Sequence, residues 1–435
     1  MTTEYTPLLI PTEIHKLQYH IPSSPLSKSK QVLCSSYLHI LLLLAPLGIL
    51  SHFLLWPPVV VFTINFFAII PLASLLSYAT EELAEHVGET VGGLINASFG
   101  NAVELIVAVV ALARGEIRLV QASMMGSILS NILLVLGCSF FFGGLGRVQQ
   151  RFNVTVAQTM AALMALATSS LLIPAAFNAA HPDNFESVLA LSRGTSVVLL
   201  IVYVCYLVFQ LRTHANYFEA QNEQAKADVT AELEQRQDRE TAALENGSAC
   251  DDLEAGIETS TLGAEDYTGV SGSVQASDAE AVNLTKIEAV VLLLLVTVVV
   301  TFCADYLVVA VNPIVESTGM SKTFIGIILI PIVGNAAEHA TAVLCAMKDK
   351  MDMAVGVSIG SSMQIALFMT PFMVILGWVL GQPMSLLFTT FETCVLFISV
   401  MILYYIVNDG ESNWLEGIML IGSYLIVSIA FFFTD

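Results

Sequence analysis

A short string with an asparagine and a glutamate occurs twice in this sequence, each time inside an apolar stretch of helix length. The copies are Gly-Asn-Ala-Val-Glu at residues 100–104 and Gly-Asn-Ala-Ala-Glu at residues 334–338. A Gly-Ser pair begins 26 residues after the first glycine of each copy. A carboxylate at membrane depth costs roughly 2.5–3.5 kcal/mol on insertion scales, so it is rarely there without a partner or a task. Two such glutamates in duplicated contexts predict one cation site shared by two halves of the chain.

The polar groups around both glutamates are oxygen donors. A constant offset of 234 residues aligns Glu104 with Glu338, and it aligns Ser130 with Gln364. Asparagine and glutamate three residues apart lie on one face of a helix, so each copy presents an amide beside a carboxylate. Hard divalent cations prefer oxygen ligands, and Ca²⁺ accepts about six to eight of them in flexible geometry. The predicted ligands are Asn101, Glu104, Ser127, Ser130, Asn335, Glu338, Ser361 and Gln364, with Asn131 and Ser362 as further polar groups on the same helices.

Other ionisable residues near these stretches have two interpretations each. His339 follows Glu338 and has Leu105 as its counterpart, so it either tunes the site or packs between helices. Asp305 either lines an access path or has a packing role. The group Glu81, Glu82 and Glu85 forms either an acidic entrance that concentrates cations or a helix end at the membrane interface. No pattern in the sequence predicts a bound cofactor.

The composition is that of a polytopic α-helical membrane protein. The chain has 435 residues, of which 56% are hydrophobic and 12% charged, and its mean hydropathy is +0.76. Apolar runs of about 20 residues exceed the roughly 9–11 of a membrane β-strand. We therefore predict an all-α fold with about eleven transmembrane helices. Their predicted limits are 34–54, 57–79, 89–113, 119–144, 152–178, 188–211, 285–313, 323–347, 351–379, 383–407 and 414–433, and the second helix is a candidate to continue through Glu85.

A polar, acidic segment separates two halves of the chain. The predicted units are a cytosolic tail (1–33), an extra first helix (34–56), a five-helix repeat (57–211), an acidic loop (212–284) and a second five-helix repeat (285–435). The net charge is −21, and residues 219–266 hold fourteen acidic against three basic side chains, which argues against nucleic acid as a partner. The loop is either a calcium-sensing helix or a solvated spacer. Seven scattered cysteines show neither metal-cluster nor disulfide spacing.

Basic residues predict the orientation of the chain in the membrane. With a cytosolic N-terminus, twelve of the sixteen Lys and Arg residues lie on the cytosolic side, as the positive-inside rule favours. The acidic loop is then cytosolic, and the C-terminus is luminal or outside. The two glutamate strings fall in the third and eighth spans, so their helices cross the bilayer in opposite directions. This predicts an inverted repeat with a cation site near the midplane, where the halves meet.

The two strings and their flanks resemble the Ca²⁺/H⁺ exchanger (CAX) branch of the calcium/cation exchanger superfamily. The resemblance rests on Gly-Glu-Thr-Val-Gly-Gly-Leu-Ile-Asn-Ala-Ser-Phe-Gly-Asn-Ala-Val-Glu-Leu at residues 88–105 and Gly-Asn-Ala-Ala-Glu-His at residues 334–339. It covers roughly residues 34–433 without the acidic loop, whose position resembles that in vacuolar exchangers of fungi and plants. The resemblance implies that Glu104 and Glu338 bind the cation and carry protons. The supporting groups it implies are Asn101, Asn335, Ser127, Ser361 and Gln364, and His339 matches the second motif.

The resemblance implies an antiporter, and not an enzyme, that moves Ca²⁺ from the cytosol into the vacuole in exchange for luminal H⁺. Mn²⁺ is a second candidate substrate, and the sequence is compatible with a homo-oligomer. A Na⁺- or K⁺-coupled calcium exchanger on the same scaffold is the main alternative. A channel would carry repeated pore loops, and a zinc protease helix needs a second histidine that Glu338-His339 lacks. The string at residues 4–9 resembles an acidic dileucine sorting signal, which agrees with a vacuolar membrane protein.

Overall fold

The computed structural model describes residues 41–87, 89–182, 184–215 and 284–434. The predicted N-terminal tail, the sorting signal, the start of the first predicted helix and most of the acidic loop lie outside these residues. The described chain is almost entirely helical, as the sequence predicts.

The described chain forms α-helices and one short two-stranded sheet. In chain order they are α1 (Leu41–Phe53), α2 (Pro58–Glu85), α3 (Glu89–Phe99), α4 (Ala102–Ala113), α5 (Ile117–Gly144), β1 (Gln150–Arg151), α6 (Val154–Ala180), α7 (Phe185–Thr213), α8 (Lys286–Thr318), α9 (Lys322–Gly334), α10 (Ala336–Met347), α11 (Met351–Val379), α12 (Thr390–Ile406), β2 (Glu411–Ser412) and α13 (Trp414–Phe432).

Seven of the described helices are long and apolar enough to cross a membrane, and the bent pair of α9 and α10 would make an eighth. The helices α1, α4 and α12 are shorter but apolar. Helix α2 continues to Glu85, well beyond the apolar run. Helix α12 begins at Thr390, later than predicted, because the left-handed Gly381 (φ 71°) and Pro383 hold the preceding segment out of the helix.

Each glutamate string interrupts its membrane helix, which the sequence analysis predicted as continuous. The first break lies at Asn101, between α3 and α4, and the second at Asn335, between α9 and α10, where the axis bends by 57°. Glycine followed by asparagine favours such a break, since both have low helix propensity and the asparagine amide competes for backbone hydrogen bonds. The break puts Glu104 and Glu338 in the first turns of α4 and α10, where unpaired N–H groups favour a negative charge.

The local backbone repeats at the same 234-residue offset as the sequence. Gly115 (φ 74°) and its counterpart Asp349 (φ 62°) both adopt the left-handed conformation in the turn after the glutamate helix. A π-helical turn then interrupts both following helices, at Ser130–Val135 in α5 and at Ile365–Met369 in α11. A π turn re-aims the side chains on either side of it, and such turns are frequent at functional sites.

The two halves pack tightly where α5 crosses α9. A Cβ atom added at Gly126 of α5 would overlap the backbone carbonyl of Ile327, and one at Gly326 of α9 would lie 2.5 Å from the Ala122 Cβ. Glycines therefore allow the two backbones to touch, as small residues do at membrane helix interfaces. The loops also join the halves, since Gln150 of β1 pairs with Ser412 of β2 in an antiparallel sheet.

A second close crossing brings α13 against α5. A Cβ atom at Gly417 would overlap the backbone nitrogen of Phe141, whereas Gly422 on the same helix has open space around its Cα. We expect Gly417→Ala to destabilise the protein by roughly 1–3 kcal/mol, since the added carbon forces the helices apart. The measurement is the midpoint of thermal unfolding in detergent. Gly422→Ala is the matched control and keeps or raises that midpoint; equal midpoints for both variants would contradict this packing.

Candidate cation site

A hydrogen-bonded group of polar side chains joins the two halves of the chain. The Asn101 amide donates to Gln364 Oε1 at 2.5 Å, across the interface between α3–α4 and α11. The Ser361 hydroxyl lies 2.6 Å from Asn101 Oδ1 and 3.0 Å from Glu338 Oε2, and it can donate to one of them at a time. Predicted ligands from both halves are thus in direct contact.

Asn131 links this group to α5, and it is absent from the eight ligands that the sequence analysis favoured. Its amide lies 3.0 Å from Glu338 Oε2 and 2.9 Å from Ser361 Oγ, as a donor to both. The sequence marks it only as a further polar group, and its counterpart at the 234-residue offset is the apolar Ile365. The π turn that begins at Ser130 directs this side chain toward the second half.

Glu104 reaches the site from the other side. Its side chain is 7% exposed, and a Cβ atom at Gly334 would lie 2.6 Å from its Oε1. The carboxylate therefore rests on the backbone of the second string, at the break between α9 and α10. It lies close enough to Glu338 for the two charges to repel each other. One carboxylate from each half thus meets in a common buried region.

Several buried oxygens at this point have no hydrogen-bond donor within the described residues. They are Glu104 Oε1, Asn131 Oδ1 and Asn335 Oδ1. Buried acceptors are almost always satisfied in proteins, so these oxygens are available to a proton, a water molecule or a cation. Carboxylate and amide oxygens are the ligands that Ca²⁺ prefers. In the part of the chain that the structure describes, no group of three or more His, Cys, Asp and Glu residues could hold a metal, so neutral oxygens would have to complete the site.

The remaining predicted ligands line the same region. Ser127 is buried, shares a small cavity of about 20 Å³ with Glu104 and Gly334, and its backbone carbonyl accepts from the Asn335 amide at 3.2 Å. Ser130 is fully buried and lies beside the Tyr424 hydroxyl of α13. His339 is partly exposed, and its imidazole is in hydrogen-bond contact with the Asn335 backbone at the helix break. Its role stays a prediction.

The predicted access-path acids have structural partners of their own. Glu82 accepts a hydrogen bond from the Leu284 backbone at 3.1 Å, which fixes the start of the second half, and Glu81 accepts from the Ser77 hydroxyl at 3.3 Å. The Glu85 side chain lies outside the described residues. Asp305 forms a two-pronged ion pair with Arg114, at 2.5 and 2.6 Å. Its place in an access path stays a prediction.

Ion pairs cluster at one end of the helices, around the turn between α4 and α5. In the sequence these cations predict only the orientation of the chain in the membrane, whereas in the structure they pair with acids of distant spans. Lys322 binds Glu116 at 2.7 Å, and Arg118 binds the buried Glu392 at 2.7 Å. Partial burial acts to raise the pKa of Glu116, but hydrogen bonds from Lys322 and Asn312 outweigh it and lower that pKa. These pairs hold the first half to the second on one side of the site.

Many apolar helices around two facing carboxylates define a polytopic membrane protein with an acidic centre between its two halves. Residues 57–212 and 288–433 match the family of the sodium/calcium exchanger protein, and the chain belongs to this family, in its Ca²⁺/H⁺ exchanger (CAX) branch. The family is one of exchangers, which are transporters.

Similar proteins span nearly the whole chain. The vacuolar calcium ion transporter of Schizosaccharomyces pombe is 45% identical over 408 residues, which is 93% of this chain and 87% of that protein. The vacuolar cation/proton exchanger 2 of Arabidopsis thaliana is 41% identical over 421 residues, 95% and 86% of the two chains. The solved structure of native YfkE is similar with a TM-score of 0.69 and 33% identity, and the match covers 91% of this chain and 100% of that one.

The contact of Glu104 with Gly334 gives a direct test of the site. We expect Gly334→Ala to displace the carboxylate and to abolish the stabilisation of the protein by Ca²⁺, which for the unchanged protein reaches about 2.7 kcal/mol at a hundredfold excess over Kd. The measurement is the thermal midpoint with and without Ca²⁺. Gly194→Ala, at a position with open space, is the control and keeps the full Ca²⁺ response. A normal Ca²⁺ response in Gly334→Ala would remove Glu104 from the site.

Proposed function

We propose that this protein moves Ca²⁺ from the cytosol into the vacuole in exchange for H⁺. The observation that carries the proposal is the meeting of Glu104 and Glu338, one from each half, among unsatisfied buried oxygens. The similar vacuolar calcium transporter and cation/proton exchanger support the substrates and the membrane. Mn²⁺ has the same preference for oxygen ligands and is proposed as a second substrate.

Exchange follows from the electrostatics of the pair. Two ionised carboxylates in a site that excludes water repel each other and lose their hydration, so they must hold either a cation or protons. At the neutral cytosolic side Ca²⁺ displaces the protons and is bound by both carboxylates. At the acidic luminal side protons neutralise the carboxylates, and Ca²⁺ loses its charged ligands and leaves. The same two groups therefore carry both substrates, which couples their movements.

Neutral side chains position the two carboxylates for this competition between Ca²⁺ and protons. The amide of Asn131 and the hydroxyl of Ser361 hold Glu338, whereas Glu104 Oε1 has no donor within the described residues. The two carboxylates are thus unequal. We infer that Glu104 closes on the cation as the last ligand, because it has no hydrogen bond to break at that oxygen.

The proposed topology has eleven spans, with each broken pair, α3–α4 and α9–α10, counted as one. The N-terminus is cytosolic and the C-terminus luminal. The helices α2–α7 and α8–α13 then form two repeats of opposite orientation. The shared left-handed turns and π turns at the 234-residue offset support this arrangement.

Alternating access is supported by a difference between two equivalent helix crossings. At the crossing of α5 and α9, Ala122 and Gly126 of α5 are packed against Gly326 and Ile327 of α9. Their counterparts at the 234-residue offset are Gly356 and Gly360 of α11 and Gly92 and Gly93 of α3.

The two helices of the second crossing are separated, whereas those of the first crossing are in contact. A Cβ atom at Gly356 would meet nothing within 4 Å, and one at Gly360 would meet only the Met160 sulfur, at 3.9 Å. Gly92 instead packs against the Ala84 carbonyl of α2. In the proposed topology this gap lies on the cytosolic side. We infer that the other access state closes α3 onto α11 through these glycines while α5 and α9 separate.

The central residues are tested by removing their charge. We expect Glu104→Gln and Glu338→Gln each to abolish Ca²⁺ uptake driven by a pH gradient, because the amide keeps the shape but can neither ionise nor carry a proton. The measurement is Ca²⁺ flux into liposomes that contain the purified protein, with an acidic interior and no Na⁺ or K⁺. Near-normal uptake by either variant would exclude that residue from coupling, and uptake that needs Na⁺ or K⁺ would favour the alternative exchanger.

The closing movement is tested at Gly356. We expect Gly356→Leu to fold and bind Ca²⁺ normally, since the position has room, but to lose at least about tenfold in uptake, which corresponds to about 1.4 kcal/mol against the closed crossing. The measurements are Ca²⁺-dependent thermal stabilisation and flux. Gly422→Leu, on a helix face with equal room, is the control. Full transport by Gly356→Leu would show that α3 does not close onto α11.

A further inference from the structure

Arg193 lies inside a membrane helix, and its positive charge has no acidic partner among the described residues. It lies in α7, two turns after the helix begins at Phe185. Its Nε atom is buried and has no hydrogen-bond partner, and no carboxylate of the described residues forms an ion pair with it. The other two arginines on this side, Arg114 and Arg118, are both paired with carboxylates. Arg193 therefore differs from them.

The guanidinium of Arg193 rests on an aromatic ring at the end of another helix. Its central carbon lies 4.9 Å from the centroid of the Trp378 ring. Trp378 is the residue before the last of α11, so the pair lies where that helix ends. Tryptophan is enriched at this level, where the bilayer meets water. The cation–π contact holds the guanidinium in place but does not neutralise its charge.

The surface around the pair is apolar and faces outward. Trp378 is 54% exposed and the adjacent Val379 78%, while Val198, on the turn of α7 that follows Arg193, is 59% exposed. In a protein with this many membrane helices, such a surface contacts lipid. A guanidinium at the edge of this surface is a binding point for an anion, and no carboxylate of the described residues pairs with it.

We propose that Arg193 and Trp378 bind the phosphate of a phospholipid headgroup. The guanidinium presents N–H groups in a planar fork that matches a phosphate. The exposed Val198 of α7 lies further along the helix, away from the end of α11, and offers a surface for the acyl chain. A lipid fits this place better than a dissolved anion, because the site opens onto an apolar face. Anionic phospholipids bind most strongly, since each arginine near the surface attracts them.

The three tryptophans of the chain permit a local test. A variant with Trp56→Phe and Trp414→Phe keeps Trp378 as its single reporter, and one with Trp56→Phe and Trp378→Phe keeps Trp414, which is similarly exposed at 47%. Each full-length variant is reconstituted in phosphatidylcholine with a minor fraction of brominated phosphatidylserine. Quenching, normalised to the same lipid without bromine, reports the amount of phosphatidylserine beside each tryptophan.

We expect phosphatidylserine to be enriched about fivefold at Trp378 relative to Trp414, which corresponds to one surface arginine. Arg193→Gln in the Trp378 reporter reduces the enrichment to the level at Trp414, and Arg193→Lys keeps part of it because the charge remains. Equal quenching at both reporters, or enrichment that survives Arg193→Gln, would overturn the proposal. Displacement of the lipid by millimolar inorganic phosphate would also overturn it, in favour of a site for the free anion.

Discussion

The repulsion between two facing carboxylates is the constraint on which the rest of the structure depends. Glu104 and Glu338 come from opposite halves, lie within reach of each other's charge, and are surrounded by amides and hydroxyls. Without a positive partner neither can stay ionised in a site that excludes water. We propose that divalent cations and protons compete for that role, and the family to which the chain belongs is one of exchangers.

The architecture serves this pair by breaking helices in the membrane. The breaks at Asn101 and Asn335 place both carboxylates in first turns, where free N–H groups favour negative charge. Irregular backbone at this depth is tolerated where protein surrounds it, and here the neighbours are α5 and α11 with their π turns. The interruptions that weaken the helices are thus the features that assemble the site.

The sequence was sufficient to predict a mostly helical membrane fold. The 234-residue offset that pairs Glu104 with Glu338 and Asn101 with Asn335 also selected polar residues that the structure places in contact, and their role as ligands stays a prediction. The sequence could not predict the helix breaks, since the apolar runs continue through both strings. It also gave no partner for Asp305, whose pairing with Arg114 depends on tertiary packing. The sequence also could not predict which of the two helix crossings is closed. Repeated glycines would allow either crossing to close, and only the structure distinguishes Gly126 from Gly360.

Proton release on binding of Ca²⁺ tests the central claim most directly. Purified protein in weakly buffered detergent near neutral pH is mixed with Ca²⁺, and a pH indicator reports the protons set free. Competition at a shared pair of carboxylates predicts release that saturates together with Ca²⁺ binding and that disappears when both glutamates are replaced by glutamine. Saturable Ca²⁺ binding at these residues without any release of protons would contradict the account.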